Sequence, residues 1–327
     1  MALLSQKYPH VRDAFITFKT SDHSYNIPSK PVVFDKCIDS NNDKSYAISV
    51  TTVVKYFFSS FDPDKVIQSM MSSNNWINSK YYGKTSDDIK ELWLTNGNDA
   101  STKGTKLHHE IELFYNGIYS ETSGSVTEFK LFLQFATDYA FIHRLCPYRT
   151  EWMIYDECAR IAGTVDMIFK DEHTETYTIV DWKRCSKICI NSGSINNHNR
   201  PKGKGIMQEF DDCNYVKYSL QLNIYRYILE HIYKLKITKA LIVVIHPDNG
   251  SYITHEVYKE PMQHVIETIF EVLRTAAPID GCWENILKSL AHPCTTHARI
   301  PPSMFICTSS DDDTDGEDNI VDELEEC

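Results

Sequence analysis

The chain has 327 residues and a mass of 37.8 kDa, with 42% hydrophobic, 12% aromatic and 24% charged residues. That composition supports a sizeable buried core and excludes a fibrous, low-complexity or mainly disordered chain. The net charge is −12, but ten carboxylates and no Lys or Arg fall within residues 311–327, so residues 1–310 carry 33 basic against 35 acidic groups, net −2. A near-neutral body can hold a local basic patch of the kind that phosphates require. The acidic segment, 305–327 in the expected domain plan, reads as a solvated disordered tail.

The longest unbroken apolar run is 240–245, far short of the roughly 20 residues of a membrane-spanning helix. The first ten residues lack the apolar stretch of a secretory signal. The ten cysteines are scattered and read as reduced thiols of an intracellular protein, cytoplasmic or nuclear. Cys185 and Cys189 have no second pair at zinc-ligand spacing.

In chain order, 32–36 and 46–50 read as strands around a turn-rich 39–43, followed by a helix through Val53, Val54, Phe57 and Phe58 capped by Ser49 or Thr51. The region 1–100 is expected to be accessory. From residue 101 the pattern sharpens: Ser101 and Thr102 as caps, then Leu107, Ile111, Phe114 and Tyr115 at helical spacing. A second helix fits 128–145, ended by Pro147. Strands are expected at 150–156, 161–170 and 176–183, a helix at 215–233, a buried strand at 240–246, a further extended segment at 252–258, and a last helix at 261–275. The order is α, β, β, β, α, β over a core of 101–290, an α/β fold with a mixed sheet and helices on its faces.

Chemistry concentrates in the middle strands. Strand alternation puts Asp181 and Lys183 on one face and Val180 and Trp182 on the other. Asp166 lies in the preceding strand among Val165, Met167 and Ile168, where a carboxylate is costly unless a cation or hydrogen bonds compensate it. Two such carboxylates on neighbouring strands suit a hard divalent cation. Asp-x-Lys alone is a common surface ion pair, and Asp88-Ile89-Lys90 repeats it in a helical segment with no acidic strand before it. Gly104 is expected to let the helix carrying His108 approach the sheet, with Glu112 four residues on. Gln221 and Tyr225 share a face of the later helix at the same spacing.

Gly104-x-x-x-His108, Gly163-Thr164-Val165-Asp166, Asp181-Trp182-Lys183 and Gln221-x-x-x-Tyr225, in that order, resemble the PD-(D/E)XK nuclease superfamily in its RecB-like, lambda-exonuclease-like branch. Ser49-Val50-Thr51-Thr52 and Tyr148-Arg149-Thr150-Glu151-Trp152 are similar to nucleases of large DNA viruses of eukaryotes. The resemblance implies a restriction-endonuclease-like αβββαβ core. It also implies Mg²⁺ or Mn²⁺ held by Asp166, Asp181, the Trp182 carbonyl and His108. Lys183 would orient the attacking water and help deprotonate it, Gln221 would position the water or Lys183, and Tyr225 would touch a phosphate. Glu112 is expected to fix His108, and Glu151 to be a metal-side or surface residue. Iron-sulfur members of the branch carry a tight C-terminal cysteine group that this chain lacks, so no cluster is expected.

Residues 183–204 contain Lys183, Arg184, Lys187, Arg200, Lys202 and Lys204 and no acid, which reads as a clamp for DNA phosphates or as a plain solvated loop. The expected activity is metal-dependent hydrolysis of DNA, an exonuclease acting at ends in recombination, repair or replication. A structure-selective or single-strand endonuclease and a catalytically silent DNA-binding module are the alternatives.

Overall fold

The computed structural model describes residues 3–29, 44–119, 126–190, 201–275 and 283–291. The expected strand at 32–36, Arg200 and the acidic tail lie outside them. Eight described strands form one mixed sheet: β1 (Thr17–Lys19), β2 (Ser24–Pro28), β3 (Lys44–Ser49), β4 (Cys146–Asp156), β5 (Ile161–Asp171), β6 (Thr176–Lys183), β7 (Ile237–Val244) and β8 (Ile253–Glu256). The described α-helices are α1 (Leu4–Lys7), α2 (Val50–Tyr56), α3 (Pro63–Ser72), α4 (Ser86–Tyr115), α5 (Val126–Phe135), α6 (Asn214–His231), α7 (Gln263–Thr275) and α8 (Trp283–Ala291). No described helix is long and apolar enough to cross a membrane.

The sheet runs β1-β2-β3-β5-β6-β7-β8, with β4 along the other edge of β5. β6 and β7 are parallel and joined through α6, as a parallel pair requires. Residue alternation sorts the core into two layers. Ile179, Ile242 and Val244 face α2, α6 and α7, whereas Val180, Trp182, Leu241 and Val243 face α4 and α5. The rings of Phe132 and Phe135 on α5 meet Trp182 edge-on at 5.8 and 5.2 Å between centroids. Trp182 therefore anchors β6 from one side and leaves its neighbours Asp181 and Lys183 to the other.

Three expectations change. Ser101 and Thr102 are not caps, because α4 is one helix of 30 residues whose cap is Thr85, accepting from the Asp88 amide while the Asp88 carboxylate accepts from Thr85. The polar run that reads as a break is the helix's exposed middle, where Thr102 and Thr105 turn their hydroxyls back onto the carbonyls four residues earlier. The border at residue 100 thus falls inside a helix, and β3 pairs with β5, so the N-terminal strands β1–β3 extend the same sheet. Pro147 does not stop a helix. The chain turns at Arg144, with φ +55°, and Pro147 lies in β4, which among the described residues pairs only with β5 and absorbs the missing amide at a bulge between Pro147 and Arg149. Elsewhere Ser49, rather than Thr51, caps α2 through the Thr52 amide at 3.0 Å.

Candidate metal centre

The centre forms where the sheet splits. Antiparallel pairing of β5 with β6 stops at Met167 opposite Val180, and β3 takes the same edge of β5 only at Ile161 and Ala162. One further step in that register sets Asp166 across from Asp181, at the mouth of the fork. The strands are held apart there by a side chain: Asp166 Oδ2 accepts from the Trp182 amide at 2.9 Å. Lys183 Nζ lies 2.6 Å from Asp181 Oδ2, and that oxygen has no well-directed hydrogen bond, so the contact is ionic.

Asp181 is 2% exposed. Burial pushes its carboxyl up to about 6 against the pull of Lys183, with the Asp166 charge adding to the rise. Burial also raises Asp166, opposed by His108. For Lys183, burial works against the charge, but the carboxylates of Asp181 and Asp166 outweigh it and hold the amine above its ordinary value, a firmly protonated ammonium. The same ammonium sits 4.6 Å from the ring centre of Tyr218 on α6.

α4 delivers the imidazole. His108 Nε2 lies 2.9 Å from the Trp182 carbonyl oxygen, which only accepts, so Nε2 carries the proton. Its Nδ1 faces Asp166 Oδ2 at 3.6 Å and Glu151 Oε1 at 3.8 Å. Burial lowers the imidazole pKa, but those carboxylates win and raise it to about 9. His108, Glu151 and Asp166 each bring one ligand atom to within 4.8 Å of the others. Glu151 reaches the group through backbone geometry: it has φ +43° in the middle of β4, a left-handed conformation that side chains disfavour and that recurs at functional sites.

These residues suit a hard divalent ion. The converging donors are the oxygens of Glu151 and Asp166 and the imidazole nitrogen of His108; Asp181 lies outside that group and contributes a neighbouring oxygen that lacks a directed hydrogen bond.

Other expected residues sit differently. Gln221 Nε2 donates to the Tyr225 hydroxyl at 3.2 Å, and the Tyr225 ring lies against Gly163 of β5, where an added Cβ would meet ring carbon at 2.6 Å. Tyr225 is 3% exposed and so meets no phosphate in this conformation; it holds Gln221 instead. Glu112 lies beside His109 at 3.4 Å rather than fixing His108. Gly104 does not serve a close approach, since a Cβ there would meet nothing within 4 Å. Arg184 gives its guanidinium to Glu128 on α5, through Nε at 3.1 Å and Nη2 at 3.0 Å, with both side chains 10% exposed, so it pins a helix. Lys202 pairs with Asp211 at 2.5 Å and Lys204 donates to the Phe58 carbonyl at 2.8 Å, which fastens this end of the basic segment to the fold. Lys187 is exposed. Tyr218 was not singled out by the sequence; its spacing of three residues from Gln221 is the signal that would have found it.

The fold and the centre together define a mixed α/β protein with a carboxylate and imidazole cluster at a split in its sheet. No family model matches the chain, and no curated protein matches it. A solved structure described as "Crystal structure of SSO0001" is similar over 72% of this chain and 78% of that one, at 14% sequence identity and a TM-score of 0.26.

Proposed function

We propose that the protein is a metal-dependent deoxyribonuclease of the PD-(D/E)XK kind, hydrolysing phosphodiester bonds by in-line attack of water, and that it works from DNA ends. The observation that carries this reading is the meeting of Asp166, Asp181 and Lys183 at the fork between β5 and β6. Burial keeps both carboxyls raised even though Lys183 and His108 oppose it, a cost that a bound divalent cation would relieve.

Asp166, Asp181, His108 and the Trp182 carbonyl would hold Mg²⁺ or Mn²⁺, with Glu151 at the rim. The ion, when bound, polarises the phosphodiester and lowers the pKa of water so that a nucleophile exists near neutral pH. Lys183 supplies a fixed positive charge for the phosphate oxygens and orients the water; as a firmly held ammonium in this state it donates rather than accepts protons. Tyr218 keeps that ammonium at the fork through its ring face. Tyr225, wedged on Gly163, fixes the Gln221 amide, whose carbonyl end remains available to water or to Lys183. Lys187 is exposed and Arg200 lies outside the described residues, and we assign DNA phosphates to both.

Incubating linear, nicked and circular DNA with Mg²⁺, Mn²⁺ or EDTA tests the proposal. Loss of linear DNA alone, dependent on metal, is the expected result. Cutting of circles would make the enzyme an endonuclease, and no loss with either metal would leave a DNA-binding protein.

A further inference from the structure

The side of α6 turned away from Gln221 holds a second charged feature. Glu230 follows Gln221 by nine residues, which at 100° per residue is the opposite side of the helix. There, Asn223, Arg226 and Glu230 of α6, Gln263 and Glu267 of α7 and Lys259 before it enclose a cavity of about 220 Å³. Arg226 is 5% exposed. Its guanidinium meets only neutral acceptors at long range, Asn223 Oδ1 at 3.4 Å and the Val257 carbonyl at 3.3 Å, and its Nε has no partner among the described residues.

Other buried arginines show what is missing. Arg12 has Glu157 and Arg149 has Asp13, each in ion-pair contact. Arg160, 8% exposed, has no carboxylate either, but it donates to the Tyr46 carbonyl at 2.6 Å and the Pro28 carbonyl at 3.3 Å, whereas Arg226 has neither a carboxylate nor so short a contact among the described residues. Glu230, Glu256 and Glu260 act on Arg226 through the field, but no described carboxylate comes within 4.0 Å of it. A guanidinium cannot shed its proton to escape burial, so this charge is offset only by carboxylates at a distance rather than by one in contact. Lys259 on the rim is exposed and adds a second positive charge to the same cavity.

We propose that this cavity binds a small phosphate-class anion, free or as a phosphate monoester, with Arg226 as its buried counter-charge and Lys259 closing over it. The acceptors Glu230 and Glu267 suit the hydroxyl or amino groups that a monoester carries besides its phosphate. This site is separate from the carboxylate fork and stands whether or not the protein cleaves DNA.

Calorimetric titration of the full chain in EDTA at fixed ionic strength, with inorganic phosphate in one arm and deoxyadenosine monophosphate in the other, tests it. Saturable binding of one equivalent is expected in at least one arm. Lys259→Ala should weaken it roughly tenfold and Arg226→Gln should weaken it more, the loss of charge-assisted hydrogen bonds. Lys183→Ala, at the fork, should leave it unchanged. Binding in the phosphate arm alone makes the ligand the free anion, and binding of the nucleotide makes it a monoester. If Arg226→Gln does not fold, Lys259→Ala decides. Absence of saturable binding in both arms, or binding that survives Lys259→Ala and is lost in Lys183→Ala, would overturn the assignment.

Discussion

The chain carries the same tripeptide pattern twice, and the two copies behave as opposites. In Asp88-Ile89-Lys90, on α4, residues two apart point to different sides of a helix, so Asp88 caps the first turn with Thr85 while Lys90 reaches to Asp64 on α3. Hydrogen bonds from Thr85 hold the Asp88 carboxyl below its ordinary value. In Asp181-Trp182-Lys183, on β6, residues two apart share a face, and acid and amine meet at 2.6 Å. Burial drives that carboxyl up instead. The middle residue is buried in both copies, Ile89 at 0% and Trp182 at 1%, and only the backbone period decides whether its neighbours make a helix cap or a charged site.

Substitution on the two copies should separate them. Asp181→Ala should reduce cleavage on the order of 10³-fold or more, as several kcal/mol of charge stabilisation disappear, with DNA binding retained in a gel-shift assay. Persistent cutting would move the reaction elsewhere in the molecule. Glu151→Gln tests the rim of the same centre: Mn²⁺ affinity, read by calorimetry, should fall about 10- to 100-fold, the scale seen when a group supporting a metal's ligands is changed. An unchanged affinity would take Glu151 out of the cluster.

Gly163→Ala probes the support behind the strand copy. The new methyl would lie 2.6 Å from the Tyr225 ring and 3.1 Å from Val50 Cγ2, so roughly 1–3 kcal/mol of stability should be lost to overpacking, measured by denaturant melts. Cleavage should fall as well, because Tyr225 and hence Gln221 must shift. On the helical copy, Asp88→Ala should give a slightly lower melting temperature and full cleavage. A loss of cleavage there would mean that the contrast between the copies is drawn in the wrong place.

Much of this centre is legible in the sequence because it rests on local period. Alternation through β5 and β6 fixes the sides of Asp166, Asp181 and Lys183, and helical spacing pairs Gln221 with Tyr225. What fails to show is set by distance or by backbone. Arg184 and Glu128 are 56 residues apart, and no spacing rule joins them. The continuity of α4 is hidden by its solvated middle, which copies the composition of a loop. Glu112 follows His108 at the helical interval yet lies beside His109, since a pair three residues apart competes for the same carboxylate.

Glu151 shows a residue pulled two ways. Its left-handed backbone would be relieved by glycine, which alone visits that region freely, but glycine has no carboxylate to offer His108. A Glu151→Gly chain should therefore fold with less resistance and bind its ion less well, so that foldability and chemistry trade against each other at this one dihedral angle.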